Sequence, residues 1–140
     1  MANGYFANYR NLQLGGGTHT LPDMNSDTIE VSLIDTADVT INTSTMQDEA
    51  DITAGIVATV ALSNVTIGSV GVGVFDSDNP IFDDVTGDSA EALVMHKGAG
   101  TAATDPLIAN YDTFSSGMPV TPNGGDIVVT VPSGGWFTNN

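Results

Sequence analysis

Cysteine is absent from this 140-residue chain and basic residues nearly so: Arg10 and Lys97 stand against 17 Asp and Glu, giving a formal charge of −15. Without cysteine there is no disulfide framework, no thiolate metal site and no cysteine nucleophile. With two cations the chain cannot neutralise a run of phosphates, so nucleic acid and anionic membrane surfaces are poor partners. Long apolar runs are missing too. None approaches the ~20 residues that cross a bilayer, and the first residues lack the basic start and continuous apolar stretch of a signal peptide. Good helix formers are scarce, with Leu at 7, Glu at 3 and Gln at 2.

The β-branched residues Thr (17), Val (14) and Ile (9) are abundant instead, and they fit a pleated surface better than a helix. Asp outnumbers Glu 14 to 3, and Asp favours turns and caps over helix interiors. An apolar fraction of 41% argues against disorder despite the charge. The expectation is a mainly β protein: a single-domain antiparallel β-sandwich or small barrel with extended terminal arms, carrying an acidic skin. An N-terminal arm over 1–25 precedes a β domain over 26–140.

Alternation places strands at Thr28–Ile34, Ile56–Leu62, Glu91–Lys97, Leu107–Tyr111 and Asp126–Val131. Ile29, Val31, Leu33, Val60, Leu93 and Val129 are the expected core. Val39 to Asn42 is a further short strand, and Asn64 to Phe75 alternates valines with Gly68, Gly71 and Gly73, which suggests a bulge or a close backbone approach.

No pattern assembles a catalytic centre. The acidic stretch Asp76-Ser77-Asp78-Asn79 opens like a calcium loop, but Pro80 and Ile81 fill the fifth and sixth positions and Gly87 stands where a bidentate Glu belongs. His19 and His96 lie 77 residues apart, without zinc-ligand spacing, and both are expected as solvated or satisfied surface histidines. Gly68-Ser69-Val70-Gly71 lacks the spacing of a nucleophile elbow. The expected catalytic, metal and cofactor sets are therefore empty, and the chain reads as a non-enzyme.

Aromatic side chains gather at the two ends: Tyr5, Phe6, Tyr9, Trp136 and Phe137. They either cap the protein's own core or form an anchor patch for a neighbouring subunit, since Trp and Tyr dominate interface hot spots. These five are the candidate interface residues.

Three phrases carry a resemblance. SDTIEVSLIDTADVT (Ser26 to Thr40), GVFDSDNPIFDDVTGDSAEALVMHKGAGTAATDPLIA (Gly73 to Ala109) and GMPVTPNGGDIVVTV (Gly117 to Val131) lie in collinear order. They resemble wording recurrent in small virion structural proteins of tailed bacteriophages, most of all capsid decoration (cement) proteins. The triple-glycine segment around Gly15 and the tail from Ser133 to Asn140 depart from that pattern. The resemblance implies a homo-oligomer, most simply a trimer, bound to the major capsid protein on the capsid exterior. A tail or head–tail connector component of the virion, or an acidic cell-surface adhesin module, are the alternatives. It implies no catalytic or ligand-binding residue. A charge of −15 disfavours a position facing packaged DNA.

Overall fold

Hydrophobic alternation in the sequence becomes a β-sandwich whose larger sheet is covered on both faces. The computed structural model describes residues 3–112 and 118–139. In chain order the elements are β1 (Gly4–Tyr5), α1 (Ala7–Gln13), β2 (Ile29–Ile34), two single-turn 3-10 helices (Glu49–Asp51 and Thr53–Gly55), β3 (Ile56–Ala61), β4 (Thr66–Ile67), β5 (Val74–Asp76), β6 (Ile81–Phe82), β7 (Ala92–Lys97), β8 (Leu107–Tyr111), β9 (Ile127–Val128) and β10 (Phe137–Thr138). The main sheet has the order β1-β8-β7-β2-β3, and two small sheets, β10-β5-β4 and β6-β9, lie beside it. All pairings are antiparallel.

One face of the main sheet presents Ile29, Val31, Leu33, Leu93, Met95 and Ile108, which pack with Phe75, Phe82, Ile127, Val129 and Trp136 from the small sheets and their flanks. The opposite face presents Ile34, Ala92, Val94 and Leu107, and Phe6, Ile41 and Ile52 from loops and turns close over it. Double coverage explains why β2, β7 and β8 are buried almost end to end, where an antiparallel sheet with one wet face would alternate. The expected core residues Ile29, Val31, Leu33, Leu93 and Val129 are buried. Val60 is the exception. It is half-buried because β3 is an edge strand with a neighbour on one side only.

The N-terminal segment expected as an extended arm is part of the body. Tyr5 pairs with Ala109 of β8, and Phe6, Tyr9 and Leu12 turn inward from β1 and α1. The stretch Asn64 to Phe75 is not one strand but a hairpin of β4 and β5. Gly68 and Gly73 adopt φ of 79° and 72°, a left-handed backbone that glycine enters without strain. The turn leaves Val70 and Val72 exposed. Val39 to Asn42 forms no strand, and the strand expected over Asp126–Val131 pairs only at Ile127–Val128.

Candidate functional site

The chain ends meet. Tyr5 on β1 and Phe137 on β10 pack edge to face with ring centroids 5.2 Å apart, Tyr9 lies 5.9 Å from Tyr5, and Phe137 stacks on Phe75 at 5.2 Å. Tyr111 adds Trp136 at 5.4 Å, and its hydroxyl donates to the Trp136 carbonyl at 3.2 Å. Trp136 Nε1 donates to Ser77 Oγ at 2.8 Å, and Tyr5 donates to the Thr138 carbonyl at 3.3 Å. A groove of about 280 Å³ runs over this junction, lined by Tyr5, Tyr111, Trp136 and Phe137.

The five terminal aromatics divide by burial. Phe6, Tyr9 and Trp136 are at most 5% exposed and belong to the protein's own core, so as folded they are not free to anchor a neighbour. Phe6 faces the second core, away from the groove. Tyr5 and Phe137 are half-buried and keep ring surface at the groove. Burial pushes the Tyr5 phenol up to about 12, with the nearby Tyr9 adding to the shift and Arg10 opposing it. Burial also raises the Tyr9 and Tyr111 phenols. The groove is thus neutral and aromatic, a surface suited to contact and not to proton transfer near pH 7.

A Ser–His pair, unforeseen in the sequence, lies in the main sheet. His96 is fully buried on β7, correcting the expectation of a surface histidine. Its Nδ1 lies 2.8 Å from the Lys97 carbonyl, which can only accept, so Nδ1 carries the proton. Nε2 then accepts from Ser32 Oγ at 2.8 Å, and Thr59 Oγ1 donates to the same Ser32 oxygen at 2.6 Å. Glu49 stands 3.9 Å from Nδ1, held by a 3-10 turn whose ends Asp48 and Asp51 cap reciprocally. Burial raises the Glu49 carboxyl, with His96 opposing the shift and Glu30 and Asp105 adding to it. These residue types could make a nucleophile, a base and an orienting acid. Ser32 and His96, however, have no exposed surface, and Ser32 sits between two flanking strands. No substrate carbonyl reaches Ser32 Oγ in this fold, so the pair serves as a hydrogen-bond bridge across β3, β2 and β7. The local signal was the placement of His96 two residues after Val94 on an inward-facing strand.

His19 is half-buried, with Nε2 3.1 Å from Asp48 Oδ2. Of the acidic stretch Asp76 to Asp88, Asp78 accepts from the Asn64 side-chain amide and the Asp84 amide donates to Asp126. Only Asp88 joins an acidic cluster, with Asp35 and Asp38, in which one carboxylate oxygen of each lies within 4.8 Å of the others. Those three are the described residues best placed to hold a cation. Calcium takes six to eight oxygens, and one Asp35 oxygen is already engaged by the Ala37 amide at 2.7 Å. No described helix is long and apolar enough to cross a membrane.

No protein-family model matches the chain, and no curated protein matches it in sequence.

Proposed function

We propose that this chain is a non-enzymatic structural protein of a phage virion, a decoration protein seated on the outer surface of the capsid. The observation that carries this reading is a charge of −15 on a small β-sandwich, in a chain whose phrases resemble small phage virion proteins. Such a body is repelled by packaged DNA and tolerated on an outer face, where like charge also keeps crowded particles apart. The sealed Ser32–His96 bridge supports a role without catalysis. Tyr5 and Phe137 make the contact with the major capsid protein through their groove, and the chain acts as a homo-oligomer, most simply a trimer.

Cosedimentation tests the proposal. Purified protein is added to shells of its phage that lack it, and separately to isolated tails. Saturable binding to shells and none to tails is the expected result, with Tyr5→Ser plus Phe137→Ser weakening it at least tenfold. Binding to tails alone refutes decoration.

A further inference from the structure

Surrounded by 17 acidic residues in the same chain, one basic side chain stays unpaired. Lys97 stands 3.7 Å from Asp27, His19 3.1 Å from Asp48 and His96 3.9 Å from Glu49. Arg10 alone of the basic residues has no carboxylate within ion-pair distance among the described residues. Its place is set by α1. That helix buries Asn8, Tyr9 and Leu12, and the spacing of three and four brings Arg10, Gln13 and Leu14 together on the outer side. These three line a hollow of about 390 Å³ with Tyr5, Thr138 and Asn139. Tyr5 and Thr138 also line the aromatic groove over Phe137, so hollow and groove adjoin. Neither contains a carboxylate, whereas the cavity beside Glu91 and the one around Asp35, Asp38 and Asp88 are acidic.

The lining defines what fits. A guanidinium presents five N–H donors and no acceptor, in a planar fork that matches a carboxylate. A basic side chain is repelled by it, and an apolar one leaves it no better served than water does. The half-buried Tyr5 and Phe137 rings and the 89% exposed Leu14 call for apolar contact beside that charge. Arg and Tyr are among the residue types that carry most of the energy at protein interfaces. A free phosphate fits the fork and gives nothing to the rings. Two copies of this chain meeting here bring −15 each to the contact, whereas a segment of a different protein brings only its own acid.

We propose that hollow and groove together receive one segment of the major capsid protein, which places an acidic side chain on Arg10 and an adjacent apolar side chain against Tyr5 and Phe137. This rests on the decoration reading and adds to it the chemistry of the partner and the residue that recognises it.

Cosedimentation with shells that lack the protein is the first arm of the test. Arg10→Glu sets carboxylate against carboxylate and should weaken binding at least tenfold. Arg10→Gln, which loses a solvent-exposed ion pair, should weaken it about threefold, and Arg10→Lys should recover most of that loss. Lys97→Gln removes the same charge from a distant site and should bind like the parent. Arg10 is exposed, so its variants should melt within ~2 °C of the parent. The second arm is amide-shift NMR of the intact chain with acetyl-Phe-Glu-amide and acetyl-Glu-Phe-amide, each against its Gln counterpart. At least one acidic dipeptide should shift Tyr5, Arg10 and Thr138 saturably and bind more tightly than its neutral counterpart. A parent chain that binds no shells refutes the decoration reading, and the dipeptides then decide the site alone. Shell binding that Arg10→Glu leaves unchanged overturns this inference with the decoration reading intact. Acidic and neutral dipeptides that bind alike, or not at all, also overturn it. So does an Arg10→Glu chain altered in self-association and not in shell binding, a result that assigns the surface to a second copy.

Discussion

Replacing Phe6 with alanine tests whether the N-terminal segment is core or appendage. Phe6 is wholly buried where β1 passes into α1. Its ring packs with Ile34, Ile41, Ile52, Ala92, Val94 and Leu107, while its amide donates to the Ile108 carbonyl at 3.0 Å. The substitution keeps the backbone bond and removes the ring. A buried Phe→Ala change costs about 3–5 kcal/mol, the lost transfer energy plus the cavity left behind. Against a total stability of about 5–15 kcal/mol, that is a large share. For a chain of this length it corresponds to a fall in Tm of about 10–20 °C. Leu14→Ala is the control: Leu14 is 89% exposed, so its change should stay within ~0.5 kcal/mol. Thermal unfolding followed by far-ultraviolet circular dichroism reads both. A Phe6→Ala protein melting within ~2 °C of the parent would mean that the segment detaches without loss and that the second core is misassigned. Removal of the first fourteen residues, which takes away Phe6, Tyr9 and Leu12 together, should leave a chain that does not fold.

The tyrosines predict alkaline behaviour. Tyr5 is pushed up to about 12, and Tyr9 and Tyr111 are raised, so between pH 10 and 12 the folded state holds protons that the unfolded state has released. Stability must fall as pH rises above 10. Ultraviolet titration should show phenolate appearing together with unfolding, and a tyrosine ionising near pH 10 with the fold intact would contradict it. The raised Glu49 carboxyl has the same sign at lower pH. Its contribution is most favourable below the ordinary value of 4.5 and declines as pH rises past it, so Glu49→Gln should gain stability relative to the parent between pH 4 and pH 7. A difference in Tm that does not change with pH would refute this. Self-repulsion among the carboxylates should make Tm rise between 10 and 150 mM sodium chloride, as the screening length falls to about 8 Å. A Tm that is flat or falls over that range would contradict the acidic-skin reading.

The central strands were legible because their signal is local. Leu107–Tyr111 was expected with the limits it has, and Ile29–Ile34, Ile56–Ala61 and Ala92–Lys97 lie within one residue at each end of the expected ranges. The hairpin around Gly68 was not legible, because alternating valines read as one strand until glycines with positive φ reverse the chain. The partial exposure of Val60 and the division of the terminal aromatics between core and groove were not legible for another reason. Whether a side chain is buried depends on what covers that face, and coverage comes from residues distant in sequence. Tyr5 meets Phe137 across the whole length of the chain. His96 and Asn110 are single polar residues inside apolar runs, Leu93-Val94-Met95-His96 and Leu107-Ile108-Ala109-Asn110-Tyr111. Their hydrogen-bond accounts, one closed and one open, exist only once the neighbouring strands are in place.

Copy number in purified virions tests the central claim most directly. Quantitative mass spectrometry against the major capsid protein, with the shell and tail fractions of disrupted particles measured separately, gives both stoichiometry and position. A decoration protein is present in hundreds of copies per particle and stays with the shell. A count of tens or fewer confined to the tail fraction, or absence from the particle, would contradict the account.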